Sequence, residues 1–281
     1  MTSSNSQIKK ILITGATNGI GKEVARLLAE KKTYHLIIVA RNEQLIKDSI
    51  DEFRLVNDKL KVDYYLADFL KLDEVKKVSK KILKDHPVID YLFQNAAMVP
   101  SKKADNQGDL NKAIIVNFLS PLILFETLLS ALYKSNEKTV IHTTSMSAAT
   151  SFEMSDLEKM DTYGRIKAYG ITKMMSNMSY YYYYSKDHSI TYKLIDPFIV
   201  YTNTTKGMMP EWAKWASPLI KLISYEPKTI AKQILKTIEL GKNNNITLYK
   251  NAKEHRHADI YKNVKLQKEI MQYAYQIIGD K

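Results

Sequence analysis

The chain has 281 residues, 45% of them hydrophobic, with 42 Lys and Arg against 30 Asp and Glu and a formal charge of +12. That size supports one large core, so a single α/β domain is expected over 1–281, with 1–7 frayed, 203–225 a possible substrate lid and 250–281 a helical extension. The absence of cysteine excludes a disulfide framework, thiolate chemistry and Cys-based metal centres.

The basic residues are scattered through every helical segment, so they describe a solvated surface and no nucleic-acid partner is expected. A basic field does favour a phosphorylated cofactor. The N-terminus lacks a signal-peptide core, and the longest apolar stretch, 119–132, is interrupted by Pro121, Glu126 and Thr127. No membrane span is therefore expected, and a cytoplasmic location is the default.

Strands are predicted over 10–14, 35–40, 61–66, 89–93, 139–143, 191–195 and 246–249. Several, such as Leu36-Ile37-Ile38-Val39, are continuous apolar runs, the mark of strands covered on both faces. Helices are predicted over 19–31, 43–57, 72–85, 111–133, 167–186 and 227–240, with a last one within 254–278. This alternation implies a doubly wound parallel sheet of about seven strands, a Rossmann-type α/β fold with helices on both faces and its ligand site at the C-terminal strand ends.

Between the first strand and the first helix stands Thr14-Gly15-Ala16-Thr17-Asn18-Gly19-Ile20-Gly21. Glycines there let the backbone turn tightly against a pyrophosphate, which the helix N–H groups and dipole then attract. A plain glycine turn is the bland alternative, and the flanking strand and helix weigh against it. Arg41 follows the second strand, where an acidic residue would select the ribose 2′-hydroxyl of NAD; an arginine suits a phosphate, so NADP is expected over NAD, with Lys22 as a helper.

Tyr169 and Lys173 lie four apart and share one helical face. A phenol beside an ammonium is a tunable proton donor and acceptor, although a surface pair at that spacing is common. Ser145 follows the apolar strand 139–143, and Asn117 lies in the long helix before it. In isolation these would be a turn residue and a satisfied core amide.

Together these motifs resemble the short-chain dehydrogenase/reductase family over most of the chain, with TGATNGIG matching its TGxxxGxG turn. The resemblance implies an oxidoreductase that moves hydride between NADP(H) and a carbonyl or alcohol. Its catalytic group would be Asn117, Ser145, Tyr169 and Lys173: Asn117 holding a water and the helix backbone, Ser145 bonding the substrate oxygen, Tyr169 exchanging the proton, and Lys173 bonding the nicotinamide ribose while lowering the tyrosine pKa. It also implies cofactor contacts from Gly15, Thr17, Asn18, Gly19, Ile20, Gly21, Arg41, Asp68, Asn95, Ala96, Tyr169, Lys173, Val200 and Thr202.

Two departures stand out. Gln94-Asn95-Ala96-Ala97 takes the place of the family's NNAG segment, and Phe198 replaces the glycine of its PGxxxT loop. The long 145–169 interval and the string Tyr163-Gly164-Arg165-Ile166-Lys167-Ala168-Tyr169-Gly170 are similar to the retinol dehydrogenase and protochlorophyllide reductase branch, which implies an apolar small-molecule substrate. An NADP-binding redox sensor or scaffold with little turnover is the alternative.

Tyr180 to Tyr184 form an unbroken run, and five successive positions reach every side of a helix. Some are expected to pack inward and some to line a subunit contact, giving a homo-oligomer. His255 and His257 lack the further ligands a metal needs, so no metal site is expected.

Overall fold

The structure, a computed structural model, describes residues 8–100, 105–197 and 225–279. Phe198, Val200, Thr202 and all of the 203–225 region except Tyr225 lie outside the described residues.

The seven predicted strands are present as β1 (Lys9–Thr14), β2 (Tyr34–Ala40), β3 (Val62–Leu66), β4 (Tyr91–Gln94), β5 (Thr139–Thr143), β6 (Thr191–Asp196) and β7 (Ile246–Lys250). The expected count is corrected by an eighth, β8 (Lys253–His255), which returns antiparallel on β7 and pairs Lys253 with Lys250. Asn251 and Ala252 make its two-residue turn with φ of 50° and 56°, the positive-φ pair that matches hairpin twist. The three residues of β8 are all exposed, so no apolar run in the sequence announces it.

The sheet order is β8-β7-β6-β5-β4-β1-β2-β3, and every pair except β8 with β7 is parallel. The chain starts at the middle of the sheet, runs outward to β3 and then crosses back to place β4 on the other side of β1. Connections leaving β1 and β4 diverge, and the crevice between them is where such sheets bind ligands.

Among the described residues, seven longer helices cover the sheet: α1 (Gly19–Glu30), α2 (Glu43–Val56), α3 (Leu72–Asp85), α4 (Lys112–Tyr133), α5 (Arg165–Lys186), α6 (Pro227–Glu239) and α7 (Val264–Ile278). Ile11 and Ile13 of β1 face a core with Val24 and Leu28 of α1, Phe53 of α2 and Ile234 of α6. Leu12 faces the opposite core, with Val75 of α3, Leu124 of α4, Met174 of α5 and Ile270 of α7. Alternate side chains of one strand thus enter two apolar layers, which is why the central strands have no polar face.

By length and composition α4 could cross a membrane, but 72% of its most apolar window is buried within the fold, where it packs on α3 and α5. Within α4, Ile115–Leu119 winds as a π-helix, a local widening often found where a helix serves a site.

The tyrosine run wraps α5 as five consecutive positions must. The sequence predicts that some of the five pack inward, and each has a partner inside the chain. Tyr180 donates to Gln94, Tyr181 stacks on Tyr261 at 5.1 Å, and Tyr182 holds Lys186 over its ring. Tyr183 donates to Glu126 of α4, and Tyr184 meets His188 edge-on. Much of this cover comes from the segment ending in α7, whose Leu266, Ile270, Met271 and Ala274 are buried.

Ile270 has no exposed surface, so Ile270→Ala should lower unfolding free energy by about 3 kcal/mol through lost burial and a residual cavity. Urea titration followed by circular dichroism checks this; a loss under about 1 kcal/mol would mean that α7 docks only loosely.

Candidate active site

The site begins where β1 ends. The Thr14 hydroxyl accepts the backbone N–H groups of Asn95 and Ala96, each at 3.1 Å, binding the exits of β1 and β4 together. Gly15 then turns with φ of +72°, and a Cβ there would lie 3.0 Å from the Ala96 Cα. At Gly21 a Cβ would come within 2.3 Å of the Gly15 carbonyl oxygen. The turn closes only because both side chains are absent. α1 then starts at Asn18 with no side-chain cap, leaving its first N–H groups for an anion.

A cleft of about 640 Å³ runs from this turn to the start of α5. Of the predicted cofactor residues, Gly15, Thr17, Asn18, Gly19, Ile20, Arg41, Asp68, Asn95, Ala96, Tyr169 and Lys173 line it. Gly21 is buried behind the turn and supports it. Arg41 is exposed and makes no ion pair among the described residues. Lys22, expected to assist it, is instead taken by Glu52 of α2 at 2.7 Å. The Asp68 carboxylate accepts the Leu70 N–H at 3.1 Å, so one of its oxygens is already used to shape the loop after β3.

At the other end stand Ser145, Tyr169 and Lys173. Ser145 leaves the end of β5, its hydroxyl accepts the Ser147 N–H at 3.1 Å, and it lies close enough to the Tyr169 hydroxyl to act on it. Gly170 lets α5 approach this loop, since a Cβ there would stand 2.0 Å from the Ser147 carbonyl oxygen. Lys173 donates to the Thr143 carbonyl at 2.7 Å, and its amine is 5.8 Å from the centre of the Tyr169 ring.

Burial governs the protonation of both groups. It lowers the Lys173 pKa to about 7. It also pushes the Tyr169 phenol well above its usual value, with the Ser145 hydrogen bond pulling back and the Asp196 charge adding to the rise. The family resemblance implies that Lys173 depresses the Tyr169 pKa; in this arrangement desolvation is the largest influence on the phenol, because a low-dielectric pocket disfavours a charge on either partner.

Asn117 does not line the cleft. Its amide is fully buried, accepting from the Met98 N–H and donating to the Met98 carbonyl, each at 2.8 Å, and to the Thr172 hydroxyl at 2.9 Å. Its backbone carbonyl accepts from Ser176 of α5 at 2.5 Å. Asn117 thus ties the loop after β4 to α4 and α5. Its side chain has no donor or acceptor pointing at the cleft.

Several cleft residues carry no signal of their own in the sequence. Leu45, Met98, Val116, Met146 and Pro197 also line it. Thr143 matters through its carbonyl, which any residue type supplies. Met146 is exposed, and only its position directly after Ser145 could have drawn notice.

Fold and site together define a Rossmann-type α/β protein with a cleft at the switch point of its sheet. A profile of the short chain dehydrogenase family matches residues 9–212, and the chain belongs to that family. It is 26% identical over 168 residues to retinol dehydrogenase 13 of Mus musculus, covering 59% of this chain and 50% of that protein. It is 27% identical over 195 residues to hydroxysteroid dehydrogenase-like protein 1 of Gallus gallus, covering 68% and 55%. The chain thus spans about half the length of these curated relatives, and the first accords with the branch that the sequence resembles. Among solved structures, an alcohol dehydrogenase of the archaeon Thermococcus sibiricus complexed with 5-hydroxy-NADP superposes with a TM-score of 0.67 at 21% identity, covering 89% of this chain and 99% of that one.

The buried lysine makes stability depend on pH with a defined sign. Unfolded, Lys173 holds its proton below about 10.5; folded, only below about 7. Between these values the unfolded state binds more protons, so this lysine costs increasing stability as pH falls. Lys173→Met should therefore gain on wild type from about pH 9.5 down to about 7 and level off below, as read by urea midpoints. A difference independent of pH would mean that the amine stays charged in the fold.

Proposed function

We propose that the chain is an NADP(H)-dependent oxidoreductase that interconverts a carbonyl and an alcohol on an apolar small molecule, with Tyr169 as the acid and base. One observation carries this reading: the glycine turn and the Ser145, Tyr169 and Lys173 side chains all line one continuous cleft. The residues fit a dinucleotide. The side-chain-free turn and the uncapped start of α1 suit the pyrophosphate, Asp68 the adenine and the exposed Arg41 a 2′-phosphate. A solved relative in the fold carries an NADP derivative. When bound, the reduced nicotinamide supplies a hydride for a carbonyl carbon.

The chain's own groups handle the oxygen. Ser145 holds it by a hydrogen bond, beside the Tyr169 hydroxyl. Tyr169 is kept protonated by burial and gives its proton to the oxygen as negative charge develops there; the reverse reaction returns it. Lys173, anchored on the Thr143 carbonyl, is a ribose ligand and, in its protonated form, a positive charge close enough to stabilise a transient phenolate. Met98, Val116, Met146 and Pro197 give the substrate end an apolar wall, which favours apolar carbonyls over small charged ones.

Two measurements test this. Tyr169→Phe should cut NADPH-linked reduction of an apolar aldehyde or ketone by about 100-fold or more, the usual weight of a positioned proton donor, while leaving NADPH binding in place. Wild-type inactivity across a carbonyl and alcohol panel, with NADPH still bound, would favour the redox-sensing or scaffold reading. Arg41→Ala should shrink the NADPH over NADH preference about tenfold, the value of one exposed phosphate contact; equal use of both cofactors by the wild type would overturn the NADP assignment.

A further inference from the structure

The C-terminal segment reaches the active site through a buried polar chain. Asn177 lies two turns beyond Tyr169 on α5, and its amide nitrogen donates to two hydroxyls: Thr144 at 2.8 Å and Tyr261 at 2.8 Å. All three residues are buried, exposed by 2%, 3% and 5%. Thr144 immediately precedes Ser145 and lines the cleft. Tyr261 sits in the short 3-10 turn Asp259–Lys262, 84 positions from Asn177.

Each end of this chain is itself anchored. The Thr144 N–H donates to the Ile195 carbonyl at 2.8 Å, so backbone and side chain are both held. Tyr261 stacks on Tyr181 at 5.1 Å, and its carbonyl accepts from Gln267 of α7 at 2.7 Å. Tyr181 in turn bonds His257. A buried amide with one fixed acceptor on each side has little freedom to rotate, and buried polar networks of this kind set position more than they add stability.

We propose that Tyr261 and Asn177 are positioning residues: the C-terminal segment holds the Thr144–Ser145 step of the cleft wall through them, and so sets how accurately Ser145 meets Tyr169. This rests on the oxidoreductase reading for its kinetic consequence, but the mechanical coupling is independent of it. The arrangement makes the C-terminal segment part of the active-site architecture, although neither Tyr261 nor Asn177 lines the cleft.

Tyr261→Phe removes only the hydroxyl and keeps the stacking on Tyr181. It should lower kcat for carbonyl reduction about fivefold, the rate equivalent of one neutral hydrogen bond, with the dissociation constant of NADPH unchanged. In a Ser145→Ala background the same substitution should cost nothing further, because its effect passes through Ser145. A purely structural role would give equal losses in both backgrounds and overturns the proposal. Amide hydrogen exchange supplies a readout without turnover: deuterium uptake in the 144–149 stretch should rise in Tyr261→Phe and in Asn177→Ala. Unchanged uptake there sinks the coupling whether or not the wild type is active, whereas raised uptake in an inactive wild type leaves the coupling standing and removes only the catalytic reading.

Discussion

Everything at the cleft depends on three strand ends being held together where the sheet reverses its direction of build. Thr14 accepts two N–H groups from the exit of β4, and Asn95 spans from the Gly15 carbonyl to the Thr143 hydroxyl at the exit of β5. Two short polar side chains thus join β1, β4 and β5 at their C-terminal edge. Without that knot the glycine turn could not lie flat against β4, and the cleft would lose its floor. The close approach of Gly21 to the Gly15 carbonyl is its steric counterpart, since a side chain there would strike both that carbonyl and the Asn95 amide.

The second theme is the deliberate burial of ionisable groups. Lys173, Tyr169 and His142 are all nearly without exposed surface, and burial moves each toward its neutral form. His142, on β5, has no hydrogen-bond partner for either ring nitrogen among the described residues, and the Lys173 charge lowers its pKa further. A neutral imidazole packed 5.2 Å from the Tyr180 ring does not compete with Lys173 for a counter-charge. The amine is left with the Thr143 carbonyl as its nearest fixed partner, a neutral one, which keeps it available to other ligands.

The helical face of the tyrosine run shows how one stretch of sequence serves several layers. Tyr180 reaches the sheet at Gln94, Tyr183 ties α5 to Glu126 of α4, and Tyr275 of α7 donates to that same carboxylate at 2.7 Å. The chain's own C-terminal segment therefore packs on α5, which is gripped from the sheet, from α4 and from α7.

Periodicity and punctuation were enough to place the strands and helices, because an interior strand must be apolar on both faces and a helix must carry a 3.6-residue stripe. The glycine turn was legible for the same local reason: strand, glycines and helix are contiguous, and their geometry is set within a dozen residues. Tyr169 with Lys173 was legible as a helical pair. What sequence could not supply was any relation carried across the fold. That Asn117 spends its amide on Met98, that Lys22 is claimed by Glu52, that burial raises the tyrosine, and that Tyr261 meets Asn177 all depend on which surfaces are pressed together and how much water is excluded. Local pattern is a property of neighbouring residues in the chain, whereas desolvation and long-range pairing exist only after the layers have packed.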